Sequence, residues 1–77
     1  MSLHQRDHQT AVTWIEGEIE NMIRDIGKPN ASSAATSVIT LAFLLRAIDE
    51  SEHRHFRARV DSIYESYNRS LRKEAVA

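Results

Sequence analysis

Four histidines are the side chains of this 77-residue chain best equipped for chemistry. His4 and His8 lie four apart, the spacing that sets two imidazoles on one face of a helix. His53 and His55 lie two apart and diverge on a helix. If the chain folds back on itself about its Gly-Lys-Pro-Asn break, residue numbers facing each other sum to roughly 60. His8 then falls beside Glu52, and His4 beside His55 and Phe56. A group of this kind can hold zinc or sense pH, with His4, His8 and His55 as the metal candidates. The plainer reading is of surface histidines near a helix end, so neither a metal nor a cofactor is expected. Gln5 stands where a His-Glu-x-x-His hydrolase motif needs its glutamate.

A second cluster is basic. Arg54, Arg57 and Arg59 surround Phe56, and Arg69, Arg72 and Lys73 follow further along. Cations interleaved with an aromatic can track phosphates, which makes a nucleic-acid-binding regulator one alternative for this chain. Its neighbours argue for a solvated face instead. Glu50 precedes Arg54 by four residues, Asp61 follows Arg57 by four, and Glu65 precedes Arg69 by four, all ordinary helix-surface pairs. The whole chain carries a formal charge of −1, and its first fifty residues hold more acids than bases. Nucleic acid is therefore the less favoured partner.

Covalent catalysis has no foothold. There is no cysteine, and no nucleophile elbow or glycine-rich phosphate loop. The carboxylates are spread along helix surfaces, and the chain is not expected to be an enzyme. Aromatic residues suggest protein contacts instead. Trp14 lies about 120° from the apolar seam of its helix, where it suits an interface anchor. Phe43 points away from the later apolar stripe, and Tyr64 flanks it. With Arg54 and Arg57, these make up the candidate protein-binding set: Trp14, Phe43, Arg54, Arg57 and Tyr64.

The elements that would carry these residues are helical. Val12, Ile15, Ile19, Met22 and Ile26 recur at spacings of three and four, which predicts an amphipathic helix over about residues 6–26. Ser2 and Leu3 are given no weight in placing its start. Gly27 suits the position just past a helix end, and residues 27–31 read as a loop. Beyond it, Val38, Leu41, Ala42, Leu45 and Ile48 share a direction with Phe56, Val60, Ile63, Tyr67 and Leu71. That phase runs unbroken through the polar stretch Asp49 to Glu52, which predicts one long helix over about residues 32–73. The alternative is a break near residues 49–52, where Asp49 and Glu52 match a capping box, giving a three-helix bundle.

The expected fold class is all-α, a single domain over residues 1–77 built as a helical hairpin. Seventy-seven residues bury little core by themselves, and a helix apolar on nearly every side, as over Val38–Ile48, needs cover on every side. A homodimer forming a four-helix bundle would supply it, with Val38, Leu41, Leu45, Ile48, Phe56, Val60, Ile63, Tyr67 and Leu71 at its interface. No apolar run reaches the roughly 20 residues needed to span a bilayer, and the start shows no secretory pattern, so no membrane is expected and the expected location is cytoplasmic. The function expected of such a chain is a non-enzymatic interaction module. It would act as a regulator, adaptor or inhibitor of bacterial or phage type that binds a larger protein, with a histidine-based metal or pH switch as a further alternative.

Overall fold

A helix needs its first amide groups satisfied, and Ser2 does this for the first one. Its hydroxyl accepts from the Gln5 amide at 3.1 Å, while the Gln5 side chain accepts from the Ser2 amide at 2.8 Å. This reciprocal capping box starts α1, Leu3–Arg24, earlier than the apolar period suggests, because the cap lies outside the apolar pattern. The computed structural model describes the backbone of residues 2–76 and the side-chain surroundings of residues 2–72. Lys73, one of the candidate phosphate contacts, therefore lies outside the described side chains. Ile15, Ile19 and Met22 are buried as their spacing requires, with Val12 and Ala11 packed beside them. Full burial of each isoleucine contributes about 1.5–3 kcal/mol.

Gly27 turns the chain at φ 96°, a conformation open to glycine. The second helix, α2, is Ser33–Leu44, and it buries Ala35, Ile39 and Ala42 against α1. This corrects the expected stripe. Leu41 and Leu45 are exposed, and Ile39 takes the core position instead. Because α2 is apolar nearly all round, its period could not choose a face; packing chose it, through the small side chains of Ala35 and Ala42.

The expected continuous second helix is also corrected. It stops at Leu44, and α3, Glu50–Val76, begins after five intervening residues. Arg46 adopts φ 62°, its amide donates to the Phe43 carbonyl, and the Ala47 amide donates to the Ala42 carbonyl. Those two bonds form a Schellman ending, whose left-handed position usually holds glycine. Arginine there hides the stop from a sequence reading. Asp49 then caps α3: its carboxylate accepts from the Glu52 amide at 2.8 Å, and Glu52 accepts from the Asp49 amide at 3.0 Å. The described residues thus form three helices and no strand, as in the three-helix alternative.

Two contacts fix the direction of α3. His8 meets Glu52, and a Cβ placed on Gly27 would lie 2.5 Å from the Tyr67 hydroxyl oxygen. Residue numbers on α1 and α3 rise together, so the two helices run parallel. Ile48, Phe56 and Val60 enter the core shared with α1 and α2, with Ile63 and Tyr64 packed beside them. The three were expected at a dimer interface; here the chain's own helices bury them. Only the part of α3 beyond Tyr67 overhangs, where Leu71 is exposed. The described chain measures 54 × 20 × 19 Å.

Candidate interaction surface

Three helices cannot enclose a helix that is apolar on every side. On the side of α2 away from α3, the α1–α2 pair leaves an open apolar groove of about 620 Å³. Ala11, Val38 and Ala42 contribute to its lining between taller walls of Trp14, Leu41 and Leu45. Trp14 is 63% exposed, Leu41 55% and Leu45 70%. Glu18 lies towards one end of the groove, and Asp7, His4 and Arg46 towards the other. Large apolar side chains scattered singly are ordinary on a protein surface; here three line one groove rimmed by charge.

The other candidate protein contacts are placed elsewhere. Phe43 is half-buried, stacked on His53 with ring centroids 4.4 Å apart, and it joins α2 to α3. Tyr64 is half-buried against the core. Arg54 and Arg57 are exposed on α3, which does not line the groove. Of that set, only Trp14 reaches the groove. Among the expected dimer residues, Val38, Leu41 and Leu45 line it as well. Ile63 and Tyr67 are half-buried, and Leu71 sits on the overhang.

The histidines divide. The His8 Nε2 atom lies 2.5 Å from a Glu52 carboxylate oxygen, joining α1 to the start of α3. This is the pairing the hairpin register anticipated, reached through a parallel helix instead of an antiparallel one. The hydrogen bond from His8 holds the Glu52 carboxyl below its ordinary value of 4.5, helped by the Asp49 amide and by the charge of His8, against a smaller opposing effect of burial. His4 lines the adjoining depression with Leu44, Arg46 and Asp49. His55 packs edge-on against Phe56, on α3. Among the described residues, no three histidine, cysteine or acidic side chains are grouped to hold a metal ion.

The arginines of α3 do not form a single track. At about 100° per residue, Arg54 and Arg72 share a direction, Arg57 lies about 60° to one side, and Arg59 about 140° to the other. Glu50, Asp61 and Glu65 fall among Arg54, Arg57 and Arg69 on the outward side. Arg69 donates to Glu65 at 2.8 Å. Phosphate tracking needs an uninterrupted stripe of cations, and here acids break it up.

Sequence reasoning missed Arg46 and Glu18, which lie towards opposite ends of the groove. A lone cation closing an apolar run is the available signal for Arg46; for Glu18 the signal is its position beside Trp14 on the outward side of α1. Compared with family models, with curated proteins and with solved structures, the chain matches none. No helix among the described residues is long and apolar enough to cross a membrane.

Proposed function

We propose that this chain is a non-enzymatic protein–protein interaction module of the regulator, adaptor or inhibitor kind, and that its docking surface is the α1–α2 groove. The observation that carries this reading is the exposure of Trp14, Leu41 and Leu45 together along one groove. Covering the exposed part of each leucine contributes up to about 2 kcal/mol, and an exposed tryptophan in a recess is the residue type most enriched in binding hot spots. The interrupted arginine face favours protein over nucleic acid as the partner class.

The test compares the wild-type chain with Trp14→Ala and Leu45→Asp as immobilised baits against nuclease-treated lysate of the native cell. Circular dichroism first confirms that both variants keep wild-type helicity. The proposal expects a protein held by the wild type and released by both variants. Equal capture by all three chains, or capture that nuclease removes, overturns it. Collapse of helicity in Trp14→Ala would place Trp14 in the core and overturn it too.

A further inference from the structure

The period and the polarity of the groove walls together select an occupant. Resting on the interaction-module reading above, we propose that the α1–α2 groove takes a single amphipathic helix of another protein, apolar along the stripe that enters and carrying lysine or arginine beside that stripe where it passes α1.

A helix is the shape these walls fit. On α1, His4, Asp7, Ala11, Trp14 and Glu18 line the groove at spacings of 3, 4, 3 and 4. On α2, Ala34, Val38, Leu41 and Leu45 line it at spacings of 4, 3 and 4. Each wall is a second helical seam, separate from the one through Ile15 and Ile19 or through Ala35 and Ile39 that enters the core. Seams of that period accept the side-chain ridge of an incoming helix at a crossing angle of about 20°. A strand has no such match, because its side chains repeat every second residue and its backbone needs a sheet edge to pair with. The α2 wall from Ala34 to Leu45 is roughly 17 Å long at 1.5 Å per residue, room for about three helical turns. A helix seated there completes a four-helix bundle around the apolar α2.

Polarity gives the chemistry. From Ser33 to Leu44, α2 contains no charged residue, so the stripe that meets it must be apolar. The α1 wall differs. Between Arg6 and Arg24 the chain has no lysine or arginine, and the α1 seam sets Asp7 and Glu18 on either side of Trp14. Neither acid has an ionic partner among the described residues; Glu18 accepts only from the Asn21 side-chain amide. At the Asp7 end, Arg46 and His4 also line the groove and offset its charge. The uncompensated acid is therefore Glu18. A cation of the occupant beside Glu18 gains attraction at a rim that water still reaches, without the cost of burying a charge. A nucleic-acid backbone or an acidic helix would meet the wrong sign.

The probes are two synthetic peptides of about 18 residues, identical except in charge. Both carry leucine at the a and d positions of a heptad. One has lysine at e and g and the other glutamate, like charges that keep each peptide from pairing with itself. Neither contains tryptophan, so acrylamide quenching of Trp14, the chain's only tryptophan, reports their binding to the full chain. The lysine peptide should shield Trp14 saturably, and the glutamate peptide should need about tenfold more for the same effect. Glu18→Lys should weaken the lysine peptide about fivefold and strengthen the glutamate peptide, while Leu45→Asp releases both. Circular dichroism checks the fold of each variant, and the comparison of the two peptides on the wild-type chain needs no variant. No shielding by the lysine peptide up to roughly 1 mM, or equal shielding by both peptides, overturns the proposal. So does a wild-type mass of twice 8.8 kDa in sedimentation equilibrium that Leu45→Asp returns to 8.8 kDa, since the occupant would then be a second copy. Lysate capture that still depends on Trp14 and Leu45 would in that case keep the interaction-module reading and remove only the basic helix. Capture that ignores both variants removes the reading itself.

Discussion

Replacing Gly27 with alanine tests the parallel placement of α3 through two separable costs. The backbone there has φ 96°, well beyond the centre of the left-handed well near 57°, and an L-residue in that region costs about 1–2 kcal/mol. The new Cβ would also lie 2.5 Å from the Tyr67 hydroxyl oxygen and 3.3 Å from the ring carbon bearing it. A phenol ring is rigid, so the half-buried Tyr67 must swing as a unit, adding about 1 kcal/mol of the kind seen on overpacking. The sum, about 2–3 kcal/mol, is a large part of the roughly 4–12 kcal/mol that stabilises a domain of this length. It should lower Tm by about 10–20 °C. Thermal and urea unfolding followed by circular dichroism measure it. Tyr67→Phe removes the hydroxyl, so Gly27→Ala should cost less in that background by about 0.5 kcal/mol or more, and the double-mutant cycle isolates the contact. If Gly27→Ala costs the same with and without the hydroxyl, Tyr67 does not sit on the turn and the parallel α3 is refuted. A total cost under about 0.5 kcal/mol would refute the left-handed turn as well.

Other expected outcomes concern single features. Asp49→Ala removes the cap of α3 and should cost about 1 kcal/mol in urea unfolding; an unchanged midpoint would argue for a continuous helix through this point. The Glu52 carboxyl is held below 4.5 in the folded chain, so its contribution is fully present above that pH and is lost as pH falls through the folded value. The stability gap between wild type and Glu52→Gln should therefore close as pH falls below about 4.5; a gap unchanged between pH 5 and pH 3 would count against the His8–Glu52 bond. Gly17 has nothing within 4 Å of an added Cβ and lies within α1, so Gly17→Ala should stabilise the chain by about 1 kcal/mol; destabilisation would mean that something packs there. Ile39→Ala should cost about 2–5 kcal/mol and Leu41→Ala well under 1, and the reverse order would return α2 to the face its sequence pattern suggested.

The legible parts of the chain were those where polarity contrast was strong. In α1, acids and apolar residues alternate with helical period, so Ile15, Ile19 and Met22 could be placed in the core directly. The His8–Glu52 contact was also reached, but through a coincidence of register, since a residue near the start of α1 meets the region of Glu52 in either topology. Polarity contrast fails in α2, where nearly every side chain from Val38 to Leu45 is apolar and only packing selects Ile39 over Leu41. The continuous phase from Val38 to Leu71 was likewise a poor guide. A break can preserve phase when the next helix starts in a compatible register, and the Asp49–Glu52 box was the better signal. Arg46 in the left-handed position completed the concealment, because a helix ending is usually announced by glycine. Trp14 was legible as an outward residue; the groove beside it was not, since it depends on which face of α2 turns inward.

Trp14 is the chain's only tryptophan, so its fluorescence reports the docking surface without interference. Acrylamide quenching of that emission, followed from dilute to concentrated protein and then with the partner captured from lysate, tests the central claim most directly. The account expects Trp14 to be readily quenched in dilute solution and shielded once the groove is occupied, with Leu45→Asp remaining quenchable throughout. Shielding in the dilute chain and in Leu45→Asp alike would mean that Trp14 belongs to the core. Free quenching under every condition would mean that the groove is not where this protein makes its contacts.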